Sequence, residues 1–115
     1  MRILFISLCL VVVASSVAVG APKSDAREHI TRATKAHQEG KFETALVELQ
    51  AAYAIDPQPD LLFAIGQLYT KLGKCSEAAA HYERFLRTSK DRDAKAIIEQ
   101  AIAGCKARAP EPPVA

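Results

Sequence analysis

The sequence predicts an all-α fold of antiparallel helix-turn-helix pairs, and three observations carry that prediction. Alanine is frequent after residue 20, whereas valine occurs there only at Val47 and Val114; such a composition favours helices over strands. Apolar residues in the same region recur at three- and four-residue steps, the mark of one side of an amphipathic helix. The third observation is internal. Gly40-Lys41-Phe42-Glu43-Thr44-Ala45 aligns with Gly73-Lys74-Cys75-Ser76-Glu77-Ala78 at an offset of 33, with the glycines, lysines and alanines matching. Self-similarity at that period signals a helical repeat.

At 115 residues the chain has room for one small domain. Its first fifth stands apart. Met1 and Arg2 give a short positive start, Ile3 through Val19 run almost without polar interruption, and no further charge appears until Lys23. Residues 1–20 are expected to be a secretory signal peptide cut between Gly20 and Ala21, because Ala18 and Gly20 are small at the −3 and −1 positions. The other reading is an uncleaved N-terminal anchor, since the charge-free stretch from Ile3 to Pro22 is long enough to span a bilayer. Cys9 lies inside the apolar run, without the small residues that precede a lipidated cysteine.

Beyond that segment the helices follow in order. Asp25 with Glu28 reads as an N-cap and its reciprocal partner, opening a first helix over 25–39 with Ile30, Ala33 and Ala36 on one side. Gly40 permits the left-handed turn that ends it. A second helix over 42–55 carries Leu46, Leu49, Ala52 and Tyr53, and Asp56-Pro57 closes it because the residue before proline avoids helical dihedrals. The third, 60–72, carries Leu62, Ile65, Gly66 and Tyr69. Gly73 repeats the turn, and the fourth, 76–88, carries Ala78, Tyr82, Phe85 and Leu86. A fifth helix over 91–106 starts at the solvated Asp91-Arg92-Asp93 and places Ala94, Ile97, Ile98, Ala101 and Ile102 on one side. Lys106 and Arg108 suit the negative pole at its end. Residues 109–115 include three prolines and are expected to be a disordered tail.

Catalytic chemistry finds no foothold. His29, His37 and His81 are scattered, with no pair at the i, i+4 spacing of a helical metal site and no Cys-x2-Cys; His29 and His37, two turns apart on one side of the first helix, are too distant for one metal and are expected to be solvated. No glycine-rich phosphate loop, nucleophile elbow or paired-acid motif occurs. The expectation is a non-enzyme with no metal and no cofactor. A formal net charge of +2, with acids and bases interspersed, gives no reason to invoke nucleic acid.

The pattern Leu62-x2-Ile65-Gly66-x2-Tyr69, followed by Ala78-x3-Tyr82, resembles the tetratricopeptide repeat family, and the likeness covers residues 25–106 as about two repeats plus a terminal capping helix. The first repeat keeps Ala33, Gly40, Phe42, Ala45, Leu49, Ala52 and Pro57. It departs at His29, Arg32 and Ala36, where the family places large apolar groups, as suits a helix that no earlier repeat covers. Phe85 stands where a small residue is usual. A generic five-helix bundle is the alternative. The resemblance implies a short right-handed solenoid in which Ala33, Gly66, Ala45 and Ala78 allow close helix approach. It also implies that Cys75 and Cys105 meet where the fourth helix begins and the antiparallel fifth ends. An oxidising compartment would permit a disulfide there; two buried, unpaired thiols are the other reading.

Family members bind peptides or partner domains on the wall formed by the first helix of each pair. Carried onto this sequence, those positions are Ile30, Thr34, His37 and Gln38 in the first repeat and Phe63, Gln67, Thr70 and Lys71 in the second. Ile30 and Phe63 would be the apolar anchors, although Phe63 could instead serve only to pack against the fifth helix. The expected function is an exported adaptor or scaffold for a protein or peptide partner. The alternative is a structural envelope subunit that self-associates or docks into a larger assembly, anchored in the membrane if the N-terminal segment stays uncleaved. Signal and repeat style together resemble small exported bacterial proteins, which implies a periplasmic or secreted location, or an inner-membrane anchor facing the periplasm.

Overall fold

The structure is a computed structural model that describes residues 22–108. The expected signal or anchor (1–20) and the expected tail (109–115) lie outside the described residues. The fold is all-α, with five helices and no strand among the described residues: α1 (Pro22–Gln38), α2 (Phe42–Ile55), α3 (Pro59–Lys71), α4 (Cys75–Thr88) and α5 (Ala94–Arg108).

The repeat is visible in the backbone itself. At the end of α1 the Gly40 N–H donates to the His37 carbonyl and the Lys41 N–H to the Ala36 carbonyl. At the end of α3 Gly73 donates to Thr70 and Lys74 to Tyr69, the same bonds 33 residues on. Both are Schellman closures, which need a left-handed residue at their centre. Gly40 and Gly73 supply it with φ of 74° and 73°. Each following helix then starts identically, Ala45 donating to Lys41 and Ala78 to Lys74.

Two helix starts differ from expectation by more than one residue. Asp25 is not an N-cap, because α1 begins at Pro22 and places Asp25 in its first turn. Proline is tolerated there since its missing N–H would be unpaired anyway. Glu28 pairs with Arg32 instead (3.7 Å). At the other end α5 begins at Ala94, later than 91, because Asp91 stays outside the helix and caps it. One carboxylate oxygen accepts the N–H groups of Asp93 (3.0 Å) and Ala94 (3.2 Å).

Packing joins α1 to α2, α2 to α3, α3 to α4, and α5 to both α3 and α4. Two apolar clusters result. Ala33, Ala36, Ala45, Leu46, Leu49, Ala52, Leu61, Ile65 and Leu68 fill the space among α1, α2 and α3. Leu62, Ala78, Tyr82, Phe85, Ala94 and Ile98 fill that among α3, α4 and α5. Half-buried Tyr53 and Tyr69 touch both. Their hydroxyls are held by Arg84 (3.1 Å) and Gln50 (3.0 Å) respectively.

Ala33, Ala45, Gly66, Ala78 and Tyr82 are all buried. Pro57, Gly40 and Gly73 are exposed and act through chain direction alone. Ile97 departs from the expected apolar side of α5: it is 56% exposed, whereas Ala94 and Ile98 are buried. The buried stripe is Ala94, Ile98 and Cys105, stepped by four and seven, and Ile97 falls beside it. His29 is half-buried rather than solvated, its Nδ1 being 2.6 Å from a Glu48 carboxylate oxygen on α2.

Cys75 and Cys105 form a disulfide with Cα atoms 5.8 Å apart, tying the start of α4 to the end of α5. Closing a loop of separation 30 stabilises by about 3–4 kcal/mol in the chain-entropy model. Reduction should therefore lower the urea midpoint markedly, and the Cys75→Ala/Cys105→Ala variant should match the reduced protein. Equal midpoints for oxidised and reduced chains would show that the bridge contributes nothing.

A Cβ on Gly66 would lie 2.7 Å from Cε1 of the Tyr82 ring. Gly66→Ala should cost about 1–3 kcal/mol through overpacking. In a Tyr82→Leu background, which reproduces the Ala33 and Leu49 pairing of the first repeat, the same change should cost less. A thermal or urea double-mutant cycle reads the difference, expected at about 0.5 kcal/mol or more.

Candidate partner-binding face

Contacts mirrored about each turn, His29 with Glu48, Gln50 with Tyr69, Gly66 with Tyr82 and Cys75 with Cys105, make successive helices antiparallel, so α1, α3 and α5 run in the same direction. Two clefts open along this side. The first, about 340 Å³, lies between α1 and α3 and is lined by Ile30, Thr34, His37, Gln38 and Gln67 over a floor that includes Ala33, Leu49, Leu61, Ala64 and Leu68. The second, about 370 Å³, lies between α3 and α5 and is lined by His37, Phe63, Gln67, Thr70, Lys71, Tyr82, Ile97, Ala101 and Arg108. All eight positions expected on the inner wall line one cleft or the other, and His37 and Gln67 line both.

Each expected contributor has a definite setting. Ile30 is half-buried and rests on the first cluster. Phe63 is also half-buried and does two things at once: its ring packs on Tyr82 (5.5 Å between centroids) and Phe85 (5.3 Å), and it still lines the α3–α5 cleft. The Thr34 hydroxyl donates to the Ile30 carbonyl (2.9 Å) and the Thr70 hydroxyl to the Gln67 carbonyl (2.6 Å). The Thr34 hydroxyl proton is thus occupied within its own helix, and the Thr70 hydroxyl is engaged inward with the Gln67 carbonyl and the Tyr82 phenol, so neither threonine presents a free donor outward. Donors come from the exposed amides of Gln38 and Gln67, from the His37 ring, and from Lys71 and Arg108. His37 and Lys71 converge on Phe42, the imidazole edge-on at 5.5 Å and the ammonium at 5.4 Å from the ring centroid.

A smaller recess of about 210 Å³ continues the α3–α5 seam toward the helix starts, lined by Asp60, Phe63, Phe85, Asp91, Ala94 and Ile97. Ile97 and Arg108 were not among the expected wall positions. They belong to α5, which a two-repeat alignment treats only as a cap. The offset of Ile97 from the stripe of Ala94, Ile98 and Cys105 is the signal that could have revealed it.

Among the described residues no cluster of histidine, cysteine and carboxylate side chains suited to a metal ion occurs, and no helix is long and apolar enough to cross a membrane. Comparison of the chain with protein-family models, with curated proteins and with solved structures returns no match.

Tyr82 is 1% exposed, and burial pushes its phenol above the ordinary value of 10.0, against a smaller opposing effect from a hydrogen bond with the Thr70 side chain. Phenols in unfolded chains therefore ionise first. The stability this confers is complete below about pH 10 and is lost as pH rises through the folded value. Wild-type protein should lose more stability than Tyr82→Phe between pH 9.5 and 11.5, read as the difference between their melting curves. Parallel curves would mean that Tyr82 ionises no later in the folded chain.

Proposed function

We propose that this chain is an exported, non-enzymatic interaction module of the tetratricopeptide repeat kind, which binds a protein or peptide partner across the face formed by α1, α3 and α5. The observation that carries the reading is the pair of clefts along that face, which gather side chains from both repeats into one surface of apolar floor and polar edge. Such clefts suit an extended ligand: apolar residues supply contact area, and a few polar groups set orientation. The repeated Schellman closures at Gly40 and Gly73 and the close approach at Gly66 support the family likeness. Export rests on the sequence of residues 1–20, and the disulfide is in keeping with a compartment that is not reducing.

The test is site-specific photo-crosslinking in the producing cells, with the crosslinker at exposed Gln67 and a control at Val47, which is 64% exposed on α2. One heterologous protein trapped from Gln67 and not from Val47 is the expected outcome. Equal yields at the two positions, or adducts only between copies of this chain, would overturn the reading in favour of a self-assembling subunit.

A further inference from the structure

The seam between α3 and α5 is electrically polar, and this restricts what it can hold. At the helix starts it is bordered by Asp60 and Asp91. At the helix ends it is bordered by Lys71 and Arg108, and no carboxylate lines that part among the described residues. Phe63 and Ile97 line both parts and so form an apolar saddle between the two poles. Ile97 is more than half exposed, so its side chain presents apolar surface to the seam.

We propose that this seam binds an extended peptide segment bearing a basic side chain at one end, an acidic side chain at the other, and a large apolar side chain between them. The inference rests on the reading of this face as a partner-binding surface and adds the chemistry of the partner. Spacing follows from geometry. Asp60 and Lys71 are about 16 Å apart along α3 at 1.5 Å per residue, a distance that an extended chain spans with about five residues. The basic residue pairs with Asp60 and Asp91, the apolar residue sits on Phe63 and Ile97, and the acidic residue pairs with Lys71 and Arg108. Exposed ion pairs are individually weak, about two- to fivefold in affinity each. The apolar contact therefore supplies most of the binding, and the charges supply register and selectivity. A peptide acidic throughout, or basic throughout, meets repulsion at one pole.

The experiment is selection from a random nine-residue peptide library displayed on yeast, using the oxidised protein as bait. Baits are wild type, Lys71→Glu/Arg108→Glu, Asp60→Lys and Ile97→Asp, each first checked for native helical circular dichroism and an intact Cys75–Cys105 bridge. Wild type should enrich peptides with a basic and an acidic residue four to six positions apart and an aromatic or aliphatic residue between. Lys71→Glu/Arg108→Glu should shift enrichment toward peptides basic at both ends, Asp60→Lys, which leaves Asp91 in place, should remove the preference for a basic residue at that end, and Ile97→Asp should reduce enrichment severalfold. Enrichment without that spacing, the same peptides from wild type and the charge variants, or no enrichment would overturn the proposal. Sedimentation of the wild type as a dimer that Ile97→Asp disperses would also overturn it, by assigning the seam to a second copy. Heterologous crosslinking from Gln67 alongside a library without charge preference would remove this inference alone and leave the broader reading standing.

Discussion

The closeness of α3 to α4 governs this structure, and it depends on the absence of one side chain. The Tyr82 ring lies across Gly66 where any Cβ would collide with it. Helix α3 cannot withdraw to relieve such a collision, because Leu61, Ile65 and Leu68 on its other side are committed to the α1–α2 cluster. With α3 held on both sides, the large ring becomes a buried bridge that meets Phe63 and belongs to the cluster containing α5 residues. In the first repeat the same register holds Ala33 and Leu49. A smaller partner tolerates a methyl group there, which is why the repeat varies at this pair without losing its geometry.

Much of this was legible because local and long-range signals agree. The turns at Gly40 and Gly73 could be read directly, since only a left-handed residue closes such a helix end and glycine adopts that conformation without strain. Helix interiors followed from the spacing of Leu46, Leu49 and Ala52, or of Ala78, Tyr82 and Phe85. Helix starts were harder. Asp25 and Asp91 are equally plausible caps by residue type, yet one lies within the first turn of its helix and the other forms the cap. What separates them is whether the residues upstream can extend the helix, and Pro22 with Lys23 and Ser24 allowed it.

The candidate face was half legible for a related reason. Positions on α1 and α3 could be transferred because both helices belong to aligned repeats. Those on α5 could not, because α5 has no counterpart in the alignment. His29 illustrates the same limit at smaller scale. Its solvated reading followed from the sequence of one helix, whereas its actual setting depends on Glu48 of another. Pairings between side chains nineteen residues apart leave no periodic trace.

The weak attachment of α5 explains why a seam exists at all. Its buried residues are Ala94, Ile98 and Cys105, with Ala101 and Ile102 at the edge of the second cluster, none as large as the Tyr82 and Phe85 that α4 buries, and an isolated helix of this length is marginal in water. Its two ends are specified by other means. Asp91 caps the start, and the disulfide fixes the end against the first turn of α4. A helix pinned at its ends and lightly packed along its length need not close over Phe63. Were the same helix held by a dense apolar face, Ile97 would turn inward, Phe63 would be covered, and the surface joining the acidic and basic poles would disappear into the core. The covalent tie thus allows α5 to be held in place with little buried surface, and the apolar surface so left uncovered is what a partner could occupy.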